Sequence, residues 1–249
     1  MEDGLGNARL GDMARCLGAT ADAHLGHWEM SLASVTSLSQ YRRHHAEIGP
    51  WCLALRMAAH TATRNPEISA DLWRDALKHA PLEGLALHAM EFSANEELSG
   101  NKELSGGSAT SLRAGAGGAG AGAGERGAIG CDRVAAARNM PVVVACRAFA
   151  TQALWCSGAK TEATMMAEQV CRQLASLGSS PLHCLLPSAA LAVGETVARA
   201  CHVGMLPKKS GRRMLAECDN FLRVRAARLL PFAAALADRL VDVAPKGYL

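Results

Sequence analysis

The chain holds 249 residues, 49% of them apolar and 4% aromatic, with nine cysteines and a formal net charge of +3. That much apolar chain can bury a sizeable core, which excludes a disordered tail and a miniprotein held by disulfides. Alanine fills 48 positions and leucine 31, against 15 for valine and isoleucine together; helix formers dominate, strand formers are scarce, and the composition predicts an all-α protein.

In chain order, helices are expected over 11–24 and 28–38, separated by Gly26-His27, and over 50–60 with Pro50 in the first turn. A fourth follows Asn65-Pro66, over about 70–79, and Pro81 starts a fifth that reaches about Glu97. From Ser99 to Gly130 the sequence runs into Gly, Ala and Ser, where no core can form and backbone entropy is highest, so it reads as a flexible insertion. Within it, Gly115-Ala-Gly117-Gly118-Ala-Gly120 matches G-x-G-x-x-G in form only, because a Gly/Ala tract generates that pattern by chance and no strand precedes it. Beyond it, 133–155 reads as a long helix with a strand-like interruption at Pro141-Val-Val-Val144. The stretch 161–177 is the clearest amphipathic one, with Ala163, Met166, Val170, Leu174 and Leu177 on one stripe. Further helices are expected over 188–203, 212–225 and 226–241, with Pro231 kinking or starting the last. The expected organisation is an N-terminal helical lobe (1–98), the insertion (99–130) and a C-terminal helical lobe (131–249).

Charge divides along the same line. Residues 1–130 carry 11 Lys and Arg against 15 Asp and Glu, whereas residues 131–249 carry 15 against 8, so a basic surface is expected in the second half. Arginine outnumbers lysine 20 to 6, which favours planar, bidentate contact with phosphate or carboxylate; a GC-rich genome gives the same bias. The cysteines are scattered, with no Cys-x-x-Cys, and read as small buried apolar residues in a reducing compartment, neither a disulfide framework nor a zinc module. The acidic N-terminus does not read as a secretory signal or transit peptide, and the apolar run 229–237 is too short to span a bilayer.

Four segments share a local grammar: Gly26-His-Trp28-Glu-Met-Ser31-Leu32, Asp71-Leu-Trp73-Arg-Asp-Ala76-Leu77, Gly158-Ala-Lys160-Thr-Glu-Ala163 and Gly211-Arg-Arg213-Met-Leu-Ala216. Each has a turn or capping residue, a large side chain two on, and a small residue three beyond that. This suits a helical hairpin: a tight turn, a covered elbow, a close approach of the two helices. The grammar resembles that of the pentatricopeptide and tetratricopeptide repeat families, and Trp28 to Leu32 with Trp73 to Leu77 looks most like the divergent pentatricopeptide repeats of protist organellar proteins. The resemblance implies stacked antiparallel hairpins, α-solenoid-like, in two lobes. It further implies a mitochondrial helical-repeat protein, a binder or scaffold in a ribonucleoprotein such as a mitochondrial ribosome or RNA-processing complex, with cytoplasmic residence as the alternative.

The densest basic region follows Pro207: Lys208, Lys209, Arg212, Arg213, Arg223, Arg225 and Arg228, interrupted by Glu217 and Asp219. These seven are the expected RNA-binding residues; an acidic protein partner, or solvent alone, would also suit them. His24 with His27, the adjacent His44 and His45, His183-Cys184 and Cys201-His202 lack the paired spacing of zinc sites, so no metal is expected. Trp28, Trp51, Trp73 and Trp155 sit beside Leu and Ala as hairpin core would. No nucleophile elbow or acid pair placed for catalysis appears, so the expectation is a non-enzymatic subunit without cofactor or small-molecule substrate, bound to other protein subunits and to RNA. The runner-up is a tetratricopeptide-like adaptor that touches no RNA.

Overall fold

The computed structural model describes residues 3–42, 48–78, 125–177, 183–228 and 230–249, with side chains from 8–38, 48–78, 141–177, 183–228 and 230–249. Every regular element in them is helical: α1 (Asp3–His24), α2 (Trp28–Arg42), α3 (Ile48–Ala62), α4 (Pro66–Lys78), α5 (Glu125–Cys156), α6 (Lys160–Ser176), α7 (Leu186–His202), α8 (Lys208–Asn220) and α9 (Phe232–Val243), with a π-helical turn over Phe221–Ala226 directly after α8. The chain is all-α. The helix expected over 81–97, most of the 99–130 insertion, His44, His45 and the Cys131 side chain lie outside the described residues. The last six residues assigned to the insertion, 125–130, belong to α5.

The helices pair as hairpins through one recurring device. At the end of α1, Gly26 takes a positive φ of 83°, its N–H bonds to Ala23 C=O at 3.1 Å, and the N–H of His27 bonds to Asp22 C=O at 2.8 Å. This left-handed cap satisfies two carbonyls of the last turn and sends the chain back antiparallel. Arg64, Gly158 and Gly204 repeat it at the ends of α3, α5 and α7, with φ of 64°, 91° and 73° and the same pair of bonds. The hairpins are therefore α1–α2, α3–α4, α5–α6 and α7–α8, and the partners within each are in contact.

Two of the four expected elbows are corrected by this register. Asp71 lies inside α4 and Gly211 inside α8; the turns are at Arg64-Asn65 and Gly204. Ala76 is half-buried and Ala216 exposed, so neither is the close-approach residue. The fourth residue of each second helix is: Ser31, Ser69 and Ala163 have no exposed surface, and Gly211 is buried. A Cβ on Gly211 would collide with Cys201 Sγ, so only glycine fits there without movement. Trp73, read as an elbow residue, is buried in the body of α4.

The first helices contact one another in chain order, α1 on α3, α3 on α5, α5 on α7 and α7 on α9, while α2, α4 and α6 each also contact the first helix that follows them. α5 and α7 are covered on nearly all sides. Residues 141–150 of α5 are all buried, as are residues 186–198 of α7 apart from half-buried Ser188, and seven alanines lie in these stretches: a helix surrounded by helices needs small side chains all round. The strand-like reading of Pro141-Val-Val-Val144 is wrong, since these residues are helical and Val142, Val143 and Val144 are at most 5% exposed. Burial against neighbouring helices overrides the β-branched preference. Cys16, Cys52, Cys146, Cys171 and Cys218 are buried in this core, with Cys16 and Cys52 bridging α1 and α3 at an Sγ–Sγ distance of 3.8 Å. No helix among the described residues is long and apolar enough to cross a membrane.

Candidate functional site

The basic region is distributed over α8, the π turn and the loop beyond it, and most of its guanidiniums are engaged within the chain. Arg212 donates from Nε to Gly247 C=O at 2.8 Å and its guanidinium lies over the Tyr248 ring at 5.9 Å, tying the C-terminal segment to α8. Arg213 pairs with Glu168 of α6 at 3.1 Å and with Glu217 at 3.9 Å. Arg223 bridges Asp219 and Asp238, both at 2.9 Å, and so joins the π turn to α9. Arg225 donates to the Leu174 carbonyl at 3.0 Å, satisfying an acceptor in the last turn of α6. Lys208, Lys209 and Arg228 are exposed and make no ion pair among the described residues. The seven cations thus separate into four that are engaged within the chain, Arg212, Arg213 and Arg223 of them still exposed, and three exposed ones that make no ion pair among the described residues.

A second feature has no counterpart in the sequence reading. A groove of about 700 Å³ opens where the first helices meet, with walls from α1, α3, α5, α7 and α9 and from Trp28 at the start of α2. Its walls are apolar over Trp28, Phe149, Leu191, Phe232 and Leu236. A charged cluster interrupts them at one end. Glu195 of α7, whose side chain is 7% exposed, accepts from Arg239 Nη2 of α9 at 2.7 Å and from Gln152 Nε2 of α5 at 3.3 Å, and lies 3.7 Å from Arg199 Nη2. A carboxylate this deep is tolerated because charged and polar donors surround it. Arg199 also reaches the exposed Cys156 Sγ at 3.6 Å.

At the other end of the groove His24 is fixed by two contacts. Its Nε2 donates to Cys184 C=O at 3.3 Å, since a carbonyl can only accept, which leaves Nδ1 to accept from Ser188 Oγ at 3.1 Å. Partial desolvation lowers its pKa from the usual histidine value, opposed by the bond to Cys184. Among the described residues no three His, Cys, Asp or Glu side chains converge as metal ligands would. Trp51, Trp73 and Trp155 are at most 8% exposed and belong to the core, whereas Trp28 lines the groove.

The sequence reading missed the groove because its lining residues lie as far apart as Ala23 and Arg239 and no local pattern joins them. The usable signal was Glu195 inside the apolar run of α7, a carboxylate that the surrounding Ala, Val and Leu leave no solvated face for. Comparison with family models, curated proteins and solved structures finds no match to this chain.

Proposed function

We propose that the chain is a non-catalytic helical-repeat scaffold, a subunit that docks other proteins of a larger assembly. The observation that carries this reading is the fourfold hairpin: the same left-handed cap and the same small buried residue recur at Gly26 and Ser31, Arg64 and Ser69, Gly158 and Ala163, Gly204 and Gly211. Successive hairpins of this kind, continued as a solenoid, form extended surfaces suited to holding partners. The resemblance of the Trp28 and Trp73 segments to organellar pentatricopeptide repeats makes a mitochondrial ribonucleoprotein the assembly to look for. Recovery of the native protein tests it: a stable set of protein subunits co-purifying in fixed ratio supports the scaffold, and a chain recovered alone overturns it.

RNA contact is the second reading, and the three solvent-facing cations Lys208, Lys209 and Arg228 favour it. Substituting Arg212, Arg213, Arg223 or Arg225 would confound such a test, because each holds other parts of the chain. The informative variant is Lys208→Ala with Lys209→Ala and Arg228→Ala, titrated with single-stranded RNA at rising salt. Contact through these side chains predicts that the variant loses about 2 from the slope of log K against log salt, near 0.7 for each phosphate contact removed. An unchanged slope, or no binding at low salt, leaves the adaptor without RNA.

A further inference from the structure

The groove holds a feature that subunit docking does not require: two guanidiniums that pair with the two oxygens of one buried carboxylate, Arg239 at 2.7 Å and Arg199 at 3.7 Å. Glu195 is 6% exposed, yet Arg239 and Arg199, which it anchors, keep 62% and 46% of their side chains in contact with solvent. Each guanidinium has five donors in a planar fork. Arg239 spends one of them on Glu195 at 2.7 Å, and Arg199 points one at Glu195 and one at Cys156. Both arginines line the groove and keep part of their side chains exposed. The charges on this wall are one negative and two positive, and the other titratable groups lining the groove are His24 and Cys156.

The apolar part is matched in size. A volume of about 700 Å³ falls within the range of small-ligand sites, and aromatic and leucine side chains line it, though the groove is open along one side and would cover only part of a ligand. We propose that this groove binds a small organic anion with an apolar body, its carboxylate or equivalent head held by Arg199 and Arg239 and its body laid against Trp28, Phe149 and Leu236. Glu195 does not touch the ligand. It positions the two guanidiniums, so that the fork meets the anion already ordered. Gln152, 3.3 Å from the same carboxylate, holds Glu195 when the anion draws on the arginines. This site is independent of the scaffold reading, since a subunit of an assembly and a free protein could both carry it.

The full chain can be titrated with two probes that share a body and differ in charge: 8-anilinonaphthalene-1-sulfonate, an anion, and N-phenyl-1-naphthylamine, which is neutral. The expected result is one saturable sulfonate site. Arg239→Gln weakens the sulfonate about tenfold, the loss of a charge-assisted contact, and leaves the neutral amine within twofold. Ala235→Trp, at an exposed alanine of the groove wall, excludes both probes without entering the core. Ala235→Glu, at the same position, repels only the sulfonate, and this variant keeps the test open should Arg239→Gln fail to fold. Sulfonate binding that does not saturate, that survives Ala235→Trp, or that falls equally with the neutral amine in the charge variants overturns the proposal.

Discussion

His183 sits just before α7 with its ring edge-on to Trp51 at 4.4 Å between centroids, and its Nδ1 accepts the backbone N–H of Leu185 at 3.3 Å. A proton on Nδ1 would face a donor, and burial away from water penalises the charged ring. Burial lowers the pKa from its ordinary 6.5 to about 4. Between those values the unfolded chain binds a proton that the folded chain refuses, so the stability tied to this ring is complete above pH 6.5 and is lost as pH falls to about 4. At about 1.4 kcal/mol per pH unit, the window is worth about 3 kcal/mol. His183→Gln keeps an acceptor for Leu185 and cannot titrate. Urea unfolding at pH 7 and pH 4.5 should show the wild type losing about 2 kcal/mol more than this variant as the pH is lowered. A gap between the two that does not change with pH would refute burial as the cause. His24 and His60 are also shifted downward by burial, but they titrate in both proteins and cancel in the comparison.

At the scale of the element, the fourth residue of each second helix makes a sharper test of the hairpin device than its sequence pattern suggests. Ser31 and Ser69 occupy equivalent positions and neither has exposed surface. Ser69 Oγ donates to Met57 C=O at 2.8 Å and accepts from Thr61 Oγ1 at 3.0 Å, both on the first helix of its own hairpin. Ser31 Oγ is buried with no partner among the described residues. Ser69→Ala should therefore cost about 1 to 2 kcal/mol, and Ser31→Ala should be neutral or stabilising by up to about 1 kcal/mol, because it removes an unsatisfied hydroxyl. The opposite signs are read from urea midpoints at constant slope. Equal losses would mean that the position selects only for small volume. The same register explains what was legible in the sequence. Helices were visible because alanine and leucine outweigh β-branched residues, and two elbows were visible because Gly26 and Gly158 carry the positive φ that glycine adopts most easily. The one after α3 is hidden because Arg64 adopts that conformation in place of a glycine, and the nearest sequence match falls at Asp71 inside α4. The one after α7 is hidden because three residues separate Gly204 from α8, and Gly211, the more prominent glycine, is the close-approach residue inside the helix. The groove was illegible for another reason: a site assembled from five helices leaves no spacing to read.

On the scale of the whole molecule, α5 decides whether the residues before and after the Gly/Ala stretch behave as one unit. Its buried half packs against α3 and α4 on one side and against α6 and α7 on the other. Cys146 Sγ of α5 donates to Pro50 C=O of α3 at 2.8 Å across that seam, and the buried core runs without a break from Cys16 in α1 to Leu240 in α9. Hairpins that touch only their neighbours can open from an end, their stability being a sum of local terms, but a helix shared by both halves couples the two. Leu154 of α5 has no exposed surface, and Leu154→Ala should cost about 3 kcal/mol through lost burial and the cavity left behind. If the core is one cooperative unit, native-state hydrogen exchange will show the slowest amides of α3 and of α7 losing the same free energy in this variant, because both exchange through the same global opening. Loss confined to α7, with α3 unaffected, would mean that the first two hairpins open and close on their own and that the seam at Cys146 and Pro50 does not transmit stability between them.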